Sequence, residues 1–181
     1  MEPLVELRLV PDGRFSACGD SVGWLVERGY GYGPEHGNSG CRTLEVYEAL
    51  YLLERGDAIV IGPDGSRLGS LDLMRLGARR DDVFLTKYIV YRDLRNRGYV
   101  VREGYGIGND LRVYRRGEYG REDARYLVMA LEEGSRMPAS RLTRSYLRAL
   151  NLGKDLILAV VESRGDVVYY SIAQFNVRGM S

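Results

Sequence analysis

The 181-residue chain has little histidine, lysine, glutamine or cysteine, and each shortage narrows what it can be. Its single histidine is His36, in a stretch rich in glycine, so a histidine-based metal cluster is excluded. The two cysteines, Cys18 and Cys41, form no metal motif and no disulfide framework, and they read as buried free thiols. Lys87 and Lys154 are the only lysines, so nearly all positive charge is arginine. Arginine forks pair bidentately with phosphate and carboxylate. Gln174 is the only glutamine, and sparse thermolabile amides fit a heat-adapted source. No apolar run approaches the ~20 residues needed to span a membrane. Residues 1–7 lack the basic flank and apolar core of a signal peptide, so the chain reads as cytoplasmic. The net charge of +1 gives no global pull toward polyanions, so any such contact needs a local basic patch.

What is present is ordinary for a globular protein: 45% hydrophobic and 28% charged residues. That is enough for one or two small domains, each with its own core. Val5 to Val10 alternates and ends at Pro11-Asp-Gly13, a strand and a turn, with Arg14 to Cys18 as hairpin partner. Ser21 is placed to cap a short helix through Arg28, and 31–41 reads as a loop. Leu44, Tyr47, Leu50, Tyr51 and Leu52 fall on one helical stripe closed by Gly56. A strand at Ala58–Ile61 and a short helix from Ser70 to Leu76 follow. The polar stretch 77–82 separates two halves.

The second half opens on the longest expected helix, about Asp82 to Arg97. Phe84, Tyr88, Tyr91 and Leu94 lie on one face, and Gly98 supplies the stop. Strands are expected at 99–103, 111–114, 126–130, 156–161 and 167–172, with a helix at 141–150. Gly104 to Gly108 is a turn before a strand, not a dinucleotide loop, which would open a helix. The chain is therefore α/β. An α+β N-terminal domain covers residues 1–80. A C-terminal domain with a mixed central sheet flanked by helices covers residues 81–181.

The run Tyr91-Arg-Asp-Leu-Arg-Asn-Arg-Gly-Tyr99-Val-Val-Arg, then Gly106-Ile-Gly108-Asn-Asp-Leu-Arg-Val-Tyr114, carries a resemblance. It continues through Tyr126-Leu-Val128, Lys154, Leu158-Ala-Val-Val-Glu162 and Gly165-Asp-Val-Val-Tyr169-Tyr170. In the first half, Glu48-Ala-Leu-Tyr51-Leu-Leu-Glu-Arg-Gly56 stands in the matching order. Together these resemble the archaeal tRNA-splicing (intron) endonucleases. The resemblance implies two α/β domains, the second nuclease-like. It also implies metal-free, cofactor-free cleavage of precursor tRNA at bulge–helix–bulge sites, leaving 2′,3′-cyclic phosphate and 5′-hydroxyl ends.

In that family a tyrosine acts as general base on the 2′-hydroxyl, a histidine as general acid on the leaving oxygen, and a lysine stabilises the phosphorane. Tyr114 matches the tyrosine and Lys154 the lysine. Asp123 stands where the histidine is expected, three residues before Tyr126. An aspartic acid of ordinary pKa, about 3.9, is protonated in about one part in a thousand at pH 7. Donating a proton would need a pKa raised by about three units. Neighbouring Glu122 would push it that way, but flanking arginines push against it. A second departure is Leu147, where active chains carry an arginine seven places before the lysine. Arg148 is adjacent, yet one helical step turns a side chain by about 100°.

The resemblance also implies an acidic docking loop and an intersubunit strand. The loop corresponds to Glu162-Ser-Arg-Gly-Asp166, with Glu162 and Asp166 as its acids. The strand corresponds to Val167 through Phe175, with Tyr169, Tyr170 and Ile172 as docking residues. A structural subunit pairing with a catalytic paralogue in a heterotetramer is the expectation, with the lone chain inactive. The alternatives are an active subunit using Tyr114, Lys154 and Asp123 or a partner's acid, and a repurposed RNA-binding module.

Overall fold

The computed structural model describes residues 4–33, 40–104 and 110–173. His36, most of the 104–108 turn, and Phe175 lie outside the described residues. The chain divides into two compact units, Met1–Tyr88 and Ile89–Ser181.

In the first unit the strands are β1 (Val5–Leu9), β2 (Phe15–Cys18), β3 (Cys41–Leu44) and β4 (Ala58–Ile61). They form a sheet in the order β3-β2-β1-β4, with β1 and β4 parallel and the other pairs antiparallel. Alternation does what the pattern predicts: Val5 and Leu7, Phe15 and Ala17, and Ala58 and Val60 are buried. Helix α1 is Ser21–Glu27 and α2 is Val46–Arg55. A capping box opens α2: the Glu48 carboxylate accepts the Glu45 N–H at 3.0 Å. The same buried carboxylate accepts the Gly31 N–H at 2.9 Å. Gly56, at φ 79°, ends the helix in the left-handed region.

Several expectations need correction. The strand β3 lies within a stretch expected to be loop and helix start, and Leu44 belongs to it rather than to the helical stripe. The reason is Arg42, a charged residue buried because its Nε and Nη2 donate to the carbonyls of Tyr30 and Gly31 at 2.9 and 2.8 Å. The cysteines are not buried free thiols. Cys18 and Cys41 stand directly opposite each other on β2 and β3 and form a disulfide, and Cys18 is exposed. Ser21 and Ser70 are first helical residues rather than caps, preceded by Asp20 and Gly69. Helix α3 (Ser70–Arg80) runs past Leu76 into the polar stretch. Gly77 is required there, since a Cβ would meet the Phe84 ring at 2.4 Å.

Helix α4 (Phe84–Asn96) leads into the second unit, and Gly98 stops the chain behind it at φ 85°. It is not the longest helix: α5 (Ala139–Asn151) matches it at 13 residues. The strands β5 (Val100–Glu103), β6 (Asp110–Tyr114), β7 (Tyr126–Glu132), β8 (Asp155–Val161) and β9 (Val167–Ile172) form a mixed sheet in chain order. Only β7 and β8 are parallel, and α5 is the crossover between them. Tyr91 and Leu94 of α4 and Val101, Leu111 and Val113 of the sheet are buried core residues. Leu127, Ala149 and Leu156 form a buried cluster, with Leu142, Tyr146 and Ile172 packed against it. Each such leucine contributes about 1.5–3 kcal/mol by leaving water.

Candidate functional site

The parallel register of β7 and β8 sets Tyr126 opposite Asp155. The residues just before each strand therefore arrive at the same end of the sheet. Ala124 and Arg125 come from one side, Gly153 and Lys154 from the other. The Asp155 N–H donates to the Arg125 carbonyl at 3.1 Å and fastens the starts of the two strands together. Between them and the 115–123 segment lies a polar pocket of about 270 Å³. Its lining includes Arg115, Glu118, Glu122, Asp123, Arg125 and Lys154.

Asp123 and Lys154 thus share one pocket, but in different states. Lys154 is only 9% exposed. Its ammonium donates to the Ala124 carbonyl at 2.6 Å. Asp123 is exposed at the pocket rim. The pocket's charges are balanced, three arginine or lysine side chains against three carboxylates, and two pairs are already formed. Arg125 pairs with Asp155 at 2.9 Å and Arg115 with Glu118 at 3.9 Å. Arg115 is held further in its charged form, chiefly by a hydrogen bond to Tyr126.

Tyr114 is not among the lining residues. It ends β6, half-buried, with its ring edge-on to Tyr119 at 5.0 Å. The Tyr119 hydroxyl accepts from Arg102 Nη1 at 2.6 Å. Leu147 is 51% exposed on α5, and Leu150 is also exposed, so no guanidinium fills the Leu147 position. Arg148 is half-buried.

The hairpin between β8 and β9 holds Glu162 and Asp166 by the backbone pair Glu162 N–H to Asp166 carbonyl, 2.8 Å. Asp166 is exposed and Glu162 half-buried. The neighbouring Ser163 N–H donates to the Glu133 carboxylate at 3.1 Å. Strand β9 is the sheet's edge. On it Tyr170 is 53% exposed, whereas Ile172 packs on the Leu127 cluster. Tyr169 donates its hydroxyl to Asp93 at 2.6 Å, and Arg97 reaches the same carboxylate oxygen at 2.7 Å. Burial first, then the Asp93 carboxylate, raises the Tyr169 phenol well above its ordinary value.

Sequence reasoning did not single out Arg115, Glu118 or Tyr119, because only the β7–β8 register and the fold of the 115–123 segment gather them. Among the described residues no group of three or more histidine, cysteine, aspartate or glutamate side chains is arranged to hold a metal ion. Among them too, no helix is long and apolar enough to cross a membrane.

Comparison with known proteins places this geometry in context. A family model described as the tRNA intron endonuclease catalytic C-terminal domain matches residues 84–169. A tRNA-splicing endonuclease of Thermococcus onnurineus is 37% identical over 172 residues, covering 95% of this chain and 97% of the relative. One of Pyrococcus furiosus is 37% identical over 175 residues, with the same coverage of each. One of Methanopyrus kandleri is 36% identical over 131 residues, 72% of each chain.

Proposed function

The chain belongs to the tRNA-splicing endonuclease family, and within it we propose that this protein is a structural subunit that docks and positions a catalytic paralogue. The assembly excises introns from precursor tRNA at bulge–helix–bulge sites and leaves 2′,3′-cyclic phosphate and 5′-hydroxyl ends. Such sites are read by RNA shape and splayed bases.

One observation carries the reading. At the pocket where the family's proton donor would stand, the residue is Asp123, exposed to water, while the ammonium of Lys154 is spent on the Ala124 carbonyl. An ionised carboxylate accepts hydrogen bonds and donates none. It also repels the phosphate whose leaving oxygen needs the proton. Exposed Leu147 offers no charge to splayed bases. In contrast, the docking features are intact as surfaces: Asp166 is presented on a tied hairpin, and β9 is an edge with Tyr170 projecting. An edge of this kind seeks a partner strand. The partners of the reading are therefore a catalytic paralogue in a heterotetramer and precursor tRNA, with Tyr114, Asp123 and Lys154 as inherited and inactive triad positions.

The test is to purify the chain alone and together with a catalytic relative, and to assay bulge–helix–bulge RNA with a chelator present. Cleavage only by the mixture, in a complex of both chains, is the expected result. Cleavage by the lone chain, or absence of a complex with the catalytic relative, overturns the reading.

A further inference from the structure

The antiparallel register of β5 and β6 sets Arg102 directly opposite Arg112. Directly opposed residues share one face of a sheet, with Cβ atoms about 5 Å apart. Two guanidinium groups so placed repel each other unless an anion lies between them. Tyr114 is two residues from Arg112 on the same strand and so points to the same face. Both arginines are half-buried rather than free in solvent.

Each is also held by neutral groups. Arg102 Nη1 donates to the Tyr119 hydroxyl at 2.6 Å, and its guanidinium lies 5.9 Å from that ring's centre. Arg112 Nε donates to the Glu103 carbonyl at 2.7 Å. A phenol and a peptide carbonyl orient a guanidinium but carry no compensating charge. Among the described residues the only hydrogen bond of Arg102 uses Nη1, so its Nε–Nη2 edge faces a ligand as a fork. The Tyr119 ring that positions Arg102 also braces Tyr114, edge-on at 5.0 Å. At the same end of the ribbon Arg116 lies over the ring of Tyr99, 5.0 Å from its centre. Guanidinium groups interleaved with aromatic rings are what a phosphate backbone with splayed bases requires.

We propose that Arg102 and Arg112, braced by Tyr119, form a phosphate-binding platform that holds an RNA phosphodiester beside Tyr114. The choice of RNA as the ligand rests on the function proposed above. The platform gives this subunit a direct grip on the substrate without chemistry: a clamp next to a site that does not cut. It also supplies locally the positive charge that the chain, at a net +1, lacks as a whole.

The test uses the full chain and a fluorescein-labelled single-stranded RNA of about 12 nucleotides. Anisotropy is followed from about 50 to 200 mM salt. The variant is Arg102→Gln with Arg112→Gln. Its control is Arg67→Gln with Arg136→Gln, two exposed arginines elsewhere whose loss changes net charge equally. Loss of one phosphate contact should weaken binding roughly tenfold and flatten the log–log salt slope by about 0.7. The control should bind within about twofold of the native chain, since distant exposed charges are screened. Native-like binding and slope in the Arg102/Arg112 variant overturns the proposal, as does absence of RNA binding by the native chain. Arg102→Gln alone keeps the experiment readable if circular dichroism shows the double variant misfolded, and native-like binding by it overturns the proposal too. Cleavage by the mixed complex is scored separately. Binding that depends on Arg102 and Arg112 without partner-dependent cleavage sinks the subunit reading and spares the platform. The reverse pattern does the opposite.

Discussion

Replacing Lys154 by methionine separates a structural lysine from a catalytic one. Methionine keeps most of the unbranched stem and removes only the ammonium. The bond lost is the 2.6 Å contact from Nζ to the Ala124 carbonyl, made by a side chain only 9% exposed. A hydrogen bond from a charged donor contributes about 1.5–3 kcal/mol, and the buried carbonyl of Ala124 is left without this donor. A loss of about 2 kcal/mol is expected. For a chain of this length each kcal/mol shifts Tm by roughly 2–4 °C, so Tm should fall by roughly 4–8 °C. Calorimetry or circular dichroism melts read this directly. Cleavage by the assembled complex, measured well below the new Tm, should stay within about twofold of native. A lysine that meets the transition-state charge would behave otherwise, since removing such a donor costs about 10²–10³ in kcat. An unchanged Tm together with a hundredfold loss of cleavage refutes the structural assignment of Lys154.

Three further outcomes follow from the geometry. Changing Cys18 and Cys41 to serine opens a loop of 23 residues, which on the loop-entropy account costs about 3 kcal/mol and roughly 6–12 °C in Tm; two free thiols per native chain in a denaturing, non-reducing thiol assay would contradict it. Tyr169 has its phenol raised from 10.0, so its contribution to stability is complete below pH 10 and is lost as pH climbs beyond it. Tyr169→Phe should therefore lose less Tm than the native chain above pH 10, and equal losses would show that the phenol is not the cause. Glu162→Ala with Asp166→Ala should weaken assembly with the catalytic partner, read as lower mass by light scattering at equal concentration; an unchanged mass refutes the docking role.

Much of the second unit was legible in the sequence because its signals are local. The Phe84–Tyr88–Tyr91–Leu94 stripe and the apolar alternation of β7 to β9 fix elements without reference to distant residues. β3 was not legible, because Cys41-Arg-Thr-Leu44 is four residues long and half polar, and Arg42 is buried only by carbonyls that another segment supplies. The disulfide was hidden for the same reason: with β3 unseen, Cys18 and Cys41 had no register to share. At the candidate site, the individual residues could be named but not their relations. That Asp123 and Lys154 share a pocket follows from the β7–β8 pairing. That Tyr114 braces Tyr119 while Arg102 stands over Arg112 follows from the β5–β6 register and the 115–123 segment. Neither relation has a period along the chain.

The pattern of what is kept and what is missing at the inherited site also has a physical logic. A position valued only for chemistry is free to change once another chain does the chemistry, whereas one that also holds the fold is not. Asp123 is exposed and Leu147 is 51% exposed, and changes at such surface positions typically stay within about 0.5 kcal/mol. Lys154 is buried against a carbonyl, and its loss costs several times more. Asp123→His is the sharpest consequence. Its Tm should lie within about 2 °C of native, because nothing packed is disturbed. It should not restore robust cleavage to the lone chain, because the Lys154 ammonium stays on Ala124 and Leu147 still offers no charge. If that single change produced strong cleavage, the proton donor would be the only missing part, and the retained lysine would be catalytic after all.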